Sequence, residues 1–201
     1  ALVKAGHDVR IYGIGNVKAT AFASSESVQS LLAGRYENVR WPGSYMPRLF
    51  LGLEKVVSST LRHGRVAPLW KPFVYRRHFR DLTAFYLAEV LPPGGRFDIL
   101  HCHFATLGET VLKFRRAGTL SGKVVVHFRG YDISETVQRA GPRVYDHLWG
   151  AADHFVANCE FFRDRIVRLG APPEKVSVIG SAIDLGQFPY RPPRKIDGPS
   201  I

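Results

Sequence analysis

From about Phe97 onward, short apolar and β-branched runs alternate with longer segments whose apolar positions recur at helical spacing. Phe97 to Phe104 (FDILHCHF) predicts a buried strand, Gly108 to Ala117 a helix ending at Gly118, and Lys123 to Phe128 a second strand. About Thr136 to Gly150 predicts a helix and His154 to Ala157 a third strand. Glu160 to Leu169 follows as a helix with Gly170 just past its end, and Lys175 to Ile179 as a fourth strand. Strands alternating with helices of this length imply βαβ units, hence an α/β fold with a doubly wound parallel sheet. In such sheets ligands bind beyond the carboxyl ends of the strands, so the residues just after each strand are the candidates for chemistry.

The first 54 residues are less regular. Ala1 to Ala5 reads as the end of a helix stopped by Gly6, Val9 to Gly13 as a short strand, and Arg35 to Trp41 as a region holding another. The chain starts without Met, inside a helix. Near its other end Arg191 to Lys195 (RPPRK) has linker character, and Asp197-Gly198-Pro199 signals a turn before Ser200 and Ile201. Both ends read as cut.

Composition narrows the class. A chain of 201 residues buries roughly 70% of its unfolded surface, enough for a core without disulfides or a structural metal. Its two cysteines, Cys102 and Cys159, lie in apolar runs without ligand spacing, which favours a reducing compartment over a zinc fold. No run approaches 18 apolar residues, and no basic head followed by an apolar run opens the chain, so an intracellular soluble domain is expected.

The net charge of +11 is local: residues 1–54 and 81–201 each net +2, whereas Lys55 to Arg80 holds seven Lys or Arg and no carboxylate. Arg62, Arg65, Lys71, Arg76, Arg77 and Arg80 alternate there with apolar residues such as Leu61, Trp70, Phe73 and Phe79. Such a stretch suits a membrane interface or a lipid phosphate, or simply a solvated basic face beside ordinary core residues. Nucleic acid is disfavoured, because no RNA-recognition signature, basic zipper or zinc finger is present.

Candidate chemistry follows the strands. His101 and His103 lie two apart on one face of a strand, a spacing open to a hydrogen-bonded structural pair, a substrate contact or, without a third ligand, a metal pair. In Val124-Val125-Val126-His127-Phe128-Arg129-Gly130-Tyr131-Asp132, His127 and Arg129 share a face and Gly130 marks the turn. The Arg129 guanidinium offers fixed donors for phosphate or sugar oxygens, or else pairs with Asp132 to fix the loop. Asn158-Cys159-Glu160 opens a helix whose N–H groups could hold an anion or be plainly capped. Ser181 to Asp184 follows the last strand as a second binding loop or a simple turn. GxGxxG, Walker, GxSxG and HExxH motifs do not occur, which argues against the common dinucleotide, P-loop, serine hydrolase and zinc peptidase readings.

Together, "ALVKAGHDVRIYG", "FDILHCHFA", "VVVHFRGYDIS" and "WGAADHFVANCEFFRDRIVRLGAPPEKVSVIGSAIDLGQF" resemble the N-terminal domain of family 4 retaining glycosyltransferases, most closely the colanic-acid and lipopolysaccharide type. The resemblance implies a GT-B fold of two Rossmann-like halves. Residues 1–190 would be the acceptor-side half without its first strand, and residues 191–201 the linker and opening of a nucleotide-sugar half. It implies a glycosyltransferase of hexosyltransferase type acting on a UDP- or GDP-sugar, with no cofactor and no metal, and charge stabilised by basic side chains and helix N-termini. Its acceptor would be a lipid-linked saccharide in exopolysaccharide or lipopolysaccharide synthesis. It would work in the cytoplasm, on the inner face of the cell membrane, with the basic stretch docked on anionic lipid.

By the same resemblance Arg129 is the catalytic candidate, in a slot where the family often carries His. His101, His103, His127, Gly130 and Asp132 would contact the acceptor, and Ser181 and Asp184 would belong to the interdomain loop, where Ala182 replaces a usual Gly. The isolated chain is expected to be inactive and marginally stable. A lipid-phosphate-binding module, or an epimerase or phosphorylase on the same scaffold, are the competing readings.

Overall fold

The computed structural model describes residues 2–14, 30, 33–39, 50, 54, 95–182 and 186. The chain divides into two compact units, Ala1–Cys102 with Thr106–Val124, and His103–Ala105 with Val125–Ile201. The six basic residues from Arg62 to Arg80, and Asp184, lie outside the described residues.

In the first unit a 3-10 turn, Val3–Ala5, closes on Gly6. Strand β1 (Ile11–Ile14) pairs in parallel with β2 (Tyr36–Val39), Ile11 opposite Tyr36. Strand β3 (Gly95–His103) starts earlier than its apolar pattern implies, and helix α1 (Ala105–Arg116) begins after a single intervening residue, Phe104. Ala105, Leu112 and Phe114 are buried, while Lys113, Arg115 and Arg116 crowd the last turn, where cations meet the negative end of the helix dipole. The helix stops at Gly118, whose N–H bonds to the Arg115 carbonyl while the Thr119 N–H reaches back to Phe114, the paired closure of a left-handed helix end. Strand β4 (Leu120–Phe128) follows. On β3 the Cys102 thiol is buried, and burial alone pushes it up to about 12, so it stays protonated and unreactive at neutral pH.

In the second unit the end of β4 pairs in parallel with β5 (His154–Ala157), and β5 with β6 (Val176–Val178). Among the described residues the strands form two sheets, β1-β2 and β3-β4-β5-β6. The four-stranded one, joined through helices, is the Rossmann-like parallel α/β arrangement that the alternation predicts. Phe155, Val156 and Ala157 are all buried on β5, as expected of a parallel strand covered on both faces. Around it Phe128, Tyr145, Trp149 and Phe155 form one ring cluster: Trp149 meets Phe155 edge to face at 5.2 Å and stacks on Phe128 at 5.8 Å. Full burial of one such side chain contributes roughly 1.5–3 kcal/mol, so this cluster is the main apolar anchor of the unit.

The single helix expected over about Thr136 to Gly150 is two short ones, α2 (Glu135–Ala140) and α3 (Asp146–Trp149). Gly141 closes the first with its N–H on Val137, and Pro142 has no N–H to carry the ladder onward. Helix α4 (Glu160–Arg168) ends close to where the sequence places it. The expected fourth strand starts later, because Pro173–Lys175 forms a 3-10 turn before Val176.

Candidate functional site

At the carboxyl ends of β3 and β4, the second unit brings together residues 103–105, the junction of β3 and α1, and residues 127–134, the end of β4 and the loop that follows it. The tie is Asp132. Its Oδ2 accepts the Ala105 N–H and its Oδ1 the Arg129 N–H, each at 3.0 Å, and the residue is only 1% exposed. The Phe104 N–H adds a 2.9 Å bond to the His127 carbonyl, and the Tyr145 hydroxyl donates to the Asp132 carbonyl at 2.9 Å. Burial raises the Asp132 carboxyl above its ordinary value, opposed by N–H donation from Arg129, Ala105, its own amide and Gly130.

Gly130 is confined twice over. Its φ is +101°, and a Cβ there would lie 3.2 Å from the Phe162 ring. Its carbonyl accepts the Ile133 and Ser134 N–H groups and the Ser134 hydroxyl, which coils the loop back on itself. Phe104, in the facing segment, has φ +79°, the left-handed region that costs a bulky residue about 1–3 kcal/mol, and the residue is 39% exposed.

This frame gathers three of the expected site residues. The rings of His103 and His127 stack at 5.5 Å with 30° between planes, His127 buried and His103 exposed. Arg129 Nη1 approaches His103 Nδ1 at 3.5 Å, a long contact on the exposed side. A hydrogen bond from the guanidinium to Nδ1 would use a neutral His103 with its proton on Nε2. The corner therefore presents a guanidinium and an imidazole N–H, both suited to phosphate or sugar oxygens.

Arg129 does meet Asp132, but through its backbone N–H, leaving the guanidinium outside that tie. Asp132 itself faces inward to its own loop, so a ligand at this corner would touch the loop it shapes. His101 is exposed on β3 and falls in the first unit, His103 in the second. Ser181 is exposed after β6. Cys159 occupies the cap position of α4 with extended backbone and no side-chain cap bond. Among the described residues no cluster of three His, Cys, Asp or Glu could hold a metal ion, and no helix is long and apolar enough to cross a membrane.

Two features escaped the sequence reading. The Asp132 tie reaches Ala105, 27 residues away, and only its local half, an Asp beside a turn Gly, has a sequence signal. The left-handed Phe104 has none, because phenylalanine is among the residues least expected there.

Compared with known proteins, residues 1–187 match the family model described as Glycosyltransferase Family 4. A Salmonella typhimurium protein provisionally named colanic acid biosynthesis glycosyltransferase WcaL is 25% identical over 198 residues, 95% of this chain and 47% of that protein. Its namesake in Escherichia coli K12 is 28% identical over 140 residues, 67% of this chain and 34% of that protein. The chain thus spans about half the length of the first of these relatives or less. No solved structure matches it significantly.

Proposed function

The chain belongs to glycosyltransferase family 4, and from that premise we propose that it is the acceptor-side half of an enzyme that moves a sugar, with retention, from a nucleoside diphosphate sugar to a lipid-linked saccharide. The names of its relatives favour colanic acid or a similar exopolysaccharide as the product. The observation that carries the reading is the Arg129, His103 and His127 corner, which lies at the carboxyl ends of the neighbouring strands β3 and β4, the end of the sheet where such folds bind ligands.

As the bond to the leaving diphosphate breaks, negative charge grows on its oxygens. A guanidinium placed where that charge develops stabilises it more than it stabilises the ground state, and this difference is what accelerates the reaction. We assign that role to Arg129, with His103 donating from Nε2 to a hydroxyl or phosphate oxygen. Because the relatives are at least about twice as long, the activity is that of the whole protein, and the 201 residues alone should not turn over. The test is release of nucleoside diphosphate by the whole protein from a panel of UDP- and GDP-sugars.

We further assign Arg62, Arg65, Lys71, Arg76, Arg77 and Arg80 to docking on anionic lipid. Each Lys or Arg near such a surface contributes on the order of 1 kcal/mol, and salt screens the attraction. Co-sedimentation at low salt should therefore show strong binding to phosphatidylglycerol-containing vesicles that weakens as salt is added. Equal binding to pure phosphatidylcholine vesicles would remove the assignment.

A further inference from the structure

Phe104 is the one non-glycine residue with a left-handed backbone among the described residues, and both amides of its corner are pinned, its own N–H to the His127 carbonyl and the next one to Asp132. Glycine would take this conformation without strain, and asparagine nearly so. Phenylalanine accepts the strain and yet ranks among the exposed large apolar residues rather than the buried core, so core packing does not explain the choice. The residue before it is His103, against the Arg129 guanidinium. One corner therefore carries an exposed aromatic ring and two planar groups that donate hydrogen bonds.

That combination matches a pyranose. A sugar ring has an apolar C–H face, which an aromatic ring covers, and a rim of hydroxyls, which guanidinium and imidazole donors satisfy. An alkyl chain would use the ring but leave the two polar groups without a role. We propose that Phe104 stacks on the terminal sugar ring of the acceptor and sets acceptor specificity. The proposal rests on the acceptor-side reading of this half, and it adds to that reading a named contact and the chemistry it recognises.

The experiment uses the whole protein and three probes, octyl β-galactoside, octyl β-glucoside and sugar-free octyl phosphate, followed by saturation-transfer NMR. In the parent, the ring C–H protons of at least one glycoside should receive saturation. Phe104→Asn keeps the backbone conformation and removes the ring, so it should weaken that glycoside about tenfold, the scale of one aromatic contact. Its melting temperature should be no lower than the parent's, and Phe104→Tyr should restore binding. Sugar protons silent in the parent, unchanged binding in Phe104→Asn, or a loss shared equally by octyl phosphate would each overturn the proposal, the last by pointing to the alkyl chain. Nucleotide-sugar hydrolysis without acceptor is measured alongside. Its absence with every donor would count against the transferase reading, while the glycoside signals would still decide the role of Phe104.

Discussion

Arg129→Ala in the whole protein should cut turnover at least tenfold with little change in melting temperature. The two halves of that expectation come from different atoms of one residue. Its backbone N–H closes the loop on Asp132 and survives the substitution, whereas its guanidinium stands exposed beside His103 and is lost. Removing one preorganised donor from developing negative charge typically costs 10²–10³-fold, and donors from the other half of the protein would soften that here. If the guanidinium acts in the transition state, kcat and kcat/KM should fall together while KM holds. Arg129→Lys should lie between, since it retains the charge but not the planar fork. Steady-state kinetics with the preferred donor checks this, and unchanged turnover would end the catalytic assignment.

Asp132→Ala should instead act on the fold. The substitution leaves the buried Ala105 N–H and the part-buried Arg129 N–H without their acceptor. Each such orphan costs about 1–3 kcal/mol, so a total of about 2–5 kcal/mol is expected, a large part of a typical stability of about 5–15 kcal/mol. Asp132→Asn should fall between parent and Ala, because its amide oxygen serves one N–H while its NH2 meets the other donor to donor. The pH dependence has a definite sign. Burial raises the carboxyl in the folded state, so between the ordinary carboxylate value and the raised one the folded chain holds a proton that the unfolded chain has released. Stability from this group therefore falls as pH rises through that window, and the Asn variant lacks this component. Melts across acid to neutral pH measure both effects, and an Asp132→Ala melting point within a degree of the parent would refute the tie.

The parts of the fold legible in the sequence are those decided locally. The strand at His154 to Ala157 is found where its four apolar-flanked residues predict it, and α4 ends as its Gly170 signal indicates. The break at Gly141-Pro142 has a sequence signal too, a missing N–H inside the apolar spacing that runs from Thr136 to Gly150. At the site, Arg129, His103 and Gly130 could be nominated because parallel sheets place ligands after their strands. The inward turn of Asp132 and the burial of His127 depend on partners far along the chain, and spacing alone does not reveal them.

The most direct test of the central assignment is to incubate the whole protein with UDP- and GDP-sugars and a saccharide acceptor, then read the anomeric configuration of the product by NMR. One donor should release nucleoside diphosphate and pass on its sugar with the anomeric configuration retained. Inversion of that centre, or no diphosphate from any donor, would contradict the assignment.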